Sequence, residues 1–134
     1  MITPKDLARL FVDIMNGHEA SRFAELVTED YLNHNPAVEN GRAGICAFMA
    51  HWFETMPDLV VTCEDVLVDG DRVAGRFSYY GTHSGDFVGI PASGATVHMR
   101  SIDIWRVENG LFAEHWDELN MLEVFQQMGA LPRP

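Results

Sequence analysis

The stretch from Val97 to Asn120 reads as two long strands joined at Glu108-Asn109-Gly110, and it carries two aspartates inside apolar strand sequence. Asp103 stands between Ile102 and Ile104, and Asp117 follows Trp116. Aspartate is disfavoured in strands, so each needs a reason to be there. The turn decides whether they share a face. A three-residue loop with Gly110 left-handed pairs Val107 with Leu111. Asp103 then faces His115 and Ser101 faces Asp117, all on one side. A two-residue Asn109-Gly110 turn pairs Glu108 with Leu111 instead. In that register the aspartates fall on opposite faces, because strand side chains alternate with period two. Asn-Gly is the strongest signal for the second turn, so both registers stand at this point.

The other face favours the three-residue loop. That register sets Arg100 opposite Glu118, Ile102 opposite Trp116, Ile104 opposite Glu114 and Arg106 opposite Phe112, with Arg106 diagonal to Glu114. Cross-strand pairing rewards such opposite-charge neighbours. The face that remains is Ser101, Asp103, Trp105, Ala113, His115 and Asp117. A face with two carboxyls and an imidazole suits the floor of a small pocket, because perturbed titratable groups cluster at sites. The plain alternative is a pair of exposed or structurally satisfied aspartates.

Upstream, the pattern is helical. Thr3 reads as an N-cap, Pro4 as the first helical residue and Asp6 as a first-turn acid. Leu7, Leu10, Phe11, Ile14 and Met15 recur at helical spacing, and Asn16-Gly17 ends the run. A short second helix is expected over Ala20–Val27 and an extended segment over Tyr31–Pro36. A third helix is expected over Arg42–Thr55, with Ile45, Phe48, Met49, Trp52 and Phe53 as its apolar stripe. Pro57 stops it. The period then changes to two. Strands are expected over Leu59–Val68 and Arg72–Tyr80, followed by a glycine-rich loop from Gly81 to Gly94. A last helix uses Leu122, Phe125 and Met128. Helices followed by a run of strands predict an α+β fold, with three N-terminal helices packed on a curved, mostly antiparallel sheet. Such a cone has an open pocket at its mouth.

The chain of 134 residues makes one domain, residues 1–134, and nearly half of it is apolar. The net charge of −11 argues against general binding to nucleic acid and to anionic membrane surfaces. No signal peptide or membrane span is evident, so a cytoplasmic location is expected. Cys46 and Cys63 read as free thiols. None of the histidines (His18, His34, His51, His83, His98, His115) forms a short helical pair. The expectation is therefore no metal.

Several motifs occur in order: Asn33-His34-Asn35-Pro36, Pro57-Asp58, Glu64-Asp65-Val66, Asp71-Arg72-Val73-Ala74, Gly81-Thr82-His83-Ser84-Gly85-Asp86-Phe87, Gly89-Ile90-Pro91, Ile102–Val107 and Glu114-His115-Trp116-Asp117. Together they resemble the SnoaL-like polyketide cyclases, also described as predicted ester cyclases, over nearly the whole chain. The resemblance implies a cone-shaped α+β barrel of the nuclear-transport-factor-like superfamily, usually a homodimer. It implies closure of a polyketide ring by intramolecular aldol condensation, without cofactor or metal. By motif position it makes Asp117 the acid/base. It also implies a histidine on the preceding strand, where this chain carries Asp103.

The chemistry fits those residues. Aldol closure needs a base beside a carbonyl, a donor for the enolate oxygen and an acid for the new alkoxide. Burial raises a carboxyl pKa, and a second carboxylate raises it further, so a pair can hold both acid and base. Asp117 is read as the base, with Asp103 as its partner or as the group orienting His115. Candidate oxyanion donors are His115, His83, Asn33 and His34. Trp52, Arg76, Phe87, Ser101 and Trp105 complete the expected binding site for a hydrophobic small molecule, and the 81–94 loop could act as a lid. Two other readings fit the same fold: an epoxide hydrolase or isomerase, or a non-catalytic ligand-binding dimer.

Overall fold

Thr3 closes a capping box with Asp6 at the start of α1 (Pro4–Gly17) in the computed structural model, which describes residues 2–134. Leu7, Phe11, Ile14 and Met15 bury the apolar stripe of this helix, and His18 ends it in the left-handed region at φ 55°. The second helical segment is a 3-10 helix, Ala20–Glu25, and not the longer helix expected to Val27. Glu19 makes no side-chain cap bond, and the chain turns extended at β-branched Val27, which opens β1 (Val27–Asn33). Then follow α2 (Arg42–Thr55), β2 (Val60–Asp69), β3 (Arg72–Thr82), β4 (Thr96–Glu108), β5 (Leu111–Leu119) and α3 (Met121–Gln127).

The strands form one open sheet in the order β1-β5-β4-β3-β2. Three neighbouring pairs are antiparallel, but β1 runs parallel to β5. The sheet is thus mixed and not purely antiparallel, since β1 reaches β5 from the far side of the chain rather than through a hairpin. No described helix is long and apolar enough to cross a membrane.

The hairpin combines parts of both expected registers. Asn109 and Gly110 both have positive φ, 52° and 76°, so the turn is the two-residue type, and Glu108 pairs with Leu111. The ladder then slips by one residue, because β5 bulges at Ala113 between Phe112 and Glu114. Beyond the bulge Arg106 pairs with Glu114, Trp105 with His115, Ile104 with Trp116 and Asp103 with Asp117. The three-residue pairings of Asp103 with His115 and Ser101 with Asp117 are therefore replaced. The shared face is kept, because the bulge shifts parity after the turn.

The inner sheet face packs against α1 and α2. Trp105 stacks on Phe112 with centroids 4.4 Å apart and meets Phe11 and Phe77. The Phe77 ring lies over Gly75, where a Cβ would come within 2.5 Å of it. Gly75 lets the ring turn inward and leaves open the space beside its cross-strand partner Asp103.

Candidate active site

Between the helices and the inner sheet face lies a cavity of about 340 Å³. Phe11, Phe23, Phe48, Trp52, Tyr79 and Phe87 give it aromatic walls. Its polar lining is Asn33, Asn35, Asp103, His115 and Asp117. No lysine or arginine is among the lining residues.

The polar groups form one hydrogen-bonded chain. The Tyr79 hydroxyl meets Ser101 Oγ at 2.8 Å, and Ser101 donates to Asp103 Oδ1 at 2.5 Å. Asp103 Oδ2 lies 2.7 Å from His115 Nε2, and His115 Nδ1 lies 3.0 Å from Asn33 Oδ1. The Asn33 oxygen also accepts the backbone N–H of Asn35 at 3.0 Å. A backbone N–H can only donate, so that atom is the oxygen, and His115 Nδ1 must carry a hydrogen. Nε2 is the ring atom left to share a proton with Asp103. The rings of Trp105 and Tyr31 stack against His115 at 5.2 and 6.2 Å.

Asp117 stands across from Asp103, with its Oδ2 3.9 Å from His115 Nε2. Asn35 Nδ2 donates to both its oxygens, at 3.2 and 3.1 Å. Burial pushes the Asp117 carboxyl above the usual carboxylate range. His115 and the Asn35 hydrogen bond oppose that rise, and the charges of Asp103 and Glu118 add to it. Burial also raises the Tyr31 and Tyr79 hydroxyls, so both are phenols near neutrality. One donor stays free: Asn33 is buried and its Nδ2 has no partner among the described residues.

The Asn-His-Asn-Pro segment owes this placement to two successive Asx turns. Asn33 Oδ1 accepts from Asn35 N, and Asn35 Oδ1 accepts from Ala37 N at 2.9 Å. Each turn fixes one amide and aims it at one member of the site.

Of the residues singled out from sequence, Asn33, Trp52, Phe87, Asp103, Trp105, His115 and Asp117 line the cavity. Ser101 is buried behind Asp103 and supports it from below. Three others stand elsewhere. His34 stacks on Trp116 and binds Glu114 at 2.8 Å, outside the cavity. Arg76 is exposed on the outer sheet face and pairs with Asp65 at 2.8 Å, because strand alternation groups it with Ile102 and Glu118. His83 is fully buried within its loop, where Nε2 meets Ile90 O at 3.1 Å and Nδ1 meets Ser93 Oγ at 2.8 Å. Asn35, Tyr31 and Tyr79 were not singled out. Tyr31 shares a β1 face with Asn33 by period two, which was a usable signal.

Asp103, His115 and Asp117 also offer ligand atoms within 4.8 Å of one another, close enough for a divalent cation. Asp103 and His115 already satisfy each other there.

Residues 5–128 match the family of SnoaL-like polyketide cyclases. The chain belongs to that family. It is 28% identical over 136 residues to the aklanonic acid methyl ester cyclase of Streptomyces peucetius, covering 96% of this chain and 92% of the relative. Among solved structures, TsrD of Streptomyces laurentii superposes with a TM-score of 0.89 at 37% identity, covering 95% of each chain. AclR of Streptomyces galilaeus, described as a candidate hydroxylase, superposes at 0.85 with 27% identity, covering 97% of this chain and 83% of the other. The SnoaL-like fold thus holds more than one assigned chemistry, and the reaction has to be argued from the site.

Proposed function

We propose that this chain closes a ring in a neutral, enolisable carbonyl compound by intramolecular aldol condensation, with Asp117 as acid/base. The observation that carries this reading is the Asp117 carboxyl. It stands half in an apolar cavity, with its affinity for protons raised by burial, beside a neighbouring imidazole. Such a carboxyl is a better base than one in water. It takes the proton next to the substrate carbonyl, the resulting enolate carbon attacks the second carbonyl, and the protonated Asp117 returns its proton to the new alkoxide. No group outside the chain is consumed.

Asn33 Nδ2 supplies the free donor for the enolate oxygen, and a well-placed donor of this kind lowers a barrier by about 3–4 kcal/mol. His115 Nε2 is engaged with Asp103, so its role is to stabilise developing negative charge near Asp117 and not to act as the base. A substrate with a free carboxylate would meet two acids and no cation in the lining, which favours an ester or another neutral compound. The acid/base route needs neither cofactor nor metal.

The protein acts as a homodimer in this reading. The outer sheet face exposes Leu67, Ile102 and Ile104, and the cross-strand row Leu67-Ala74-Ile104-Trp116 lies between charged pairs, Arg76 with Asp65 and Arg106 with Glu114. A two-fold axis would set this row against its own copy.

Turnover of aklanonic acid methyl ester, followed by the absorbance change on ring closure, tests the function. Wild type forms cyclised product. A wild-type protein that binds the ester and leaves it unchanged would remove the reading.

A further inference from the structure

We propose that Asn35 is a positioning residue for Asp117: its amide holds that carboxylate in the charged, reactive form. The inference rests on the assignment of Asp117 as the base, and it deepens that assignment. Asn35 Nδ2 reaches both Asp117 oxygens, at 3.2 and 3.1 Å. Its amide cannot flip, because its own oxygen is taken by the N–H of Ala37 at 2.9 Å. The donor edge therefore faces Asp117 permanently.

The surroundings of Asp117 make that donor consequential. From β4 it faces Asp103, and along β5 it has His115 and Glu118. The hydroxyls of Tyr31 on β1 and Tyr79 on β3 are neutral, and Met121 and Phe125 line the same cavity as apolar walls. Against burial and two acids, the charged form has His115 and Asn35 on its side. His115 is already committed to Asp103 at 2.7 Å and is 3.9 Å from Asp117. Asn35 is the residue that hydrogen-bonds Asp117 directly, and it orients both oxygens from a rigid turn.

An asparagine does here what its nearest analogues cannot. Aspartate could keep the Ala37 turn but could not donate to a carboxylate. Alanine could do neither. The Asn35→Asp variant thus separates the donor from the fold of the loop, and Asn35→Ala serves as a second test.

The experiment is a carboxyl ¹³C NMR titration of the ligand-free protein, with the Asp117 resonance assigned by its loss in Asp117→Asn. Thermal midpoints monitor folding. In both Asn35 variants the Asp117 midpoint should move to higher pH, by about one pH unit for Asn35→Asp. In parallel, the acid limb of aklanonic acid methyl ester turnover should move the same way, with kcat reduced about tenfold below the new midpoint. A midpoint unchanged in a folded variant overturns the proposal. Unfolding of both variants also overturns it, since Asn35 would then serve the fold. If the titration moves but no ester is turned over in any form, the positioning role stands and the cyclase reading fails.

Discussion

Asp103 and Asp117 are directly paired across β4 and β5, and the His115 imidazole lies 2.7 Å from the first and 3.9 Å from the second. The two acids are therefore unequal. Asp103 is saturated by Ser101 and His115, whereas Asp117 has one asparagine and a cavity in front of it. Substitution should separate them. Asp117→Asn should lower kcat by about 10³-fold, in the range of a lost general base. Asp103→Asn acts through His115 and should cost about 10-fold to 10²-fold, mainly in kcat, as expected for a group that works through a neighbouring residue. Equal losses from both would show that the pair, and not Asp117, carries the base.

The raised Asp117 carboxyl also makes a stability prediction. A folded-state pKa above the unfolded value means that the native state binds the proton more tightly. Its contribution is fully present below the unfolded value near 3.8 and is lost as pH rises through the raised folded value. Near neutrality wild type therefore carries a penalty for the buried charge that Asp117→Asn lacks. Relative to wild type, the thermal midpoint of Asp117→Asn should rise between pH 4 and pH 7, by a few degrees. A difference between the two proteins that stays constant over that window would contradict the burial argument.

Much of this was legible in the sequence, and the failures have local causes. Thr3, Pro4 and Asp6 announced α1 because capping is a contact within one turn. The shared face of Asp103 and Asp117 could not be settled by the turn, since the bulge at Ala113 reverses the parity that Asn109-Gly110 sets. Nothing in Phe112-Ala113 distinguishes a bulge from a regular ladder, because both residues are simply apolar. Arg76 was ambiguous because β3 ends in adjacent tyrosines, Tyr79 inward and Tyr80 outward, which blurs alternation. In Asn33-His34-Asn35 the histidine drew attention by its chemistry. The backbone instead turns His34 out and both asparagines in, a choice made by the Asx turns.

Val88 sits at φ 46° in the turn that pairs Phe87 with Ile90, and it lines the cavity. A β-branched side chain is strained there, where asparagine or glycine is usual, at a cost of order 1–3 kcal/mol. Val88→Asn should accordingly stabilise the protein by about 1 kcal/mol, read as a higher urea midpoint with unchanged slope. The same change removes an apolar group from the cavity wall and should raise KM for the ester several-fold. A variant no more stable than wild type would mean that the turn carries no strain.

The proposed dimer face can be tested at its centre. Ile104 is 42% exposed and Leu67 is 72% exposed, and both stand in one row with Trp116. Ile104→Lys buries a charge in a two-fold interface and repels its own copy, but in a monomer it faces water on an outer strand position. Sedimentation should find wild type dimeric at micromolar concentration and Ile104→Lys monomeric and folded. A wild type that sediments as a monomer at those concentrations would leave this face without the partner assigned to it.

Deletion of Ala113 tests what the bulge does. With that residue gone, Phe112 is followed directly by Glu114, and the two-residue turn leads into a regular ladder with the pairs β5 already makes: Arg106 with Glu114, Trp105 with His115 and Asp103 with Asp117. Paired residues share a face, so His115 and Asp117 stay on the inner side and Glu114 and Trp116 on the outer one. The deletion should therefore fold, with a thermal midpoint within a few degrees of wild type, and should keep turnover of the ester. An unfolded or inactive deletion variant would show that Ala113 matters for its own packing or for the local twist of the bulge, and not only for the register it sets.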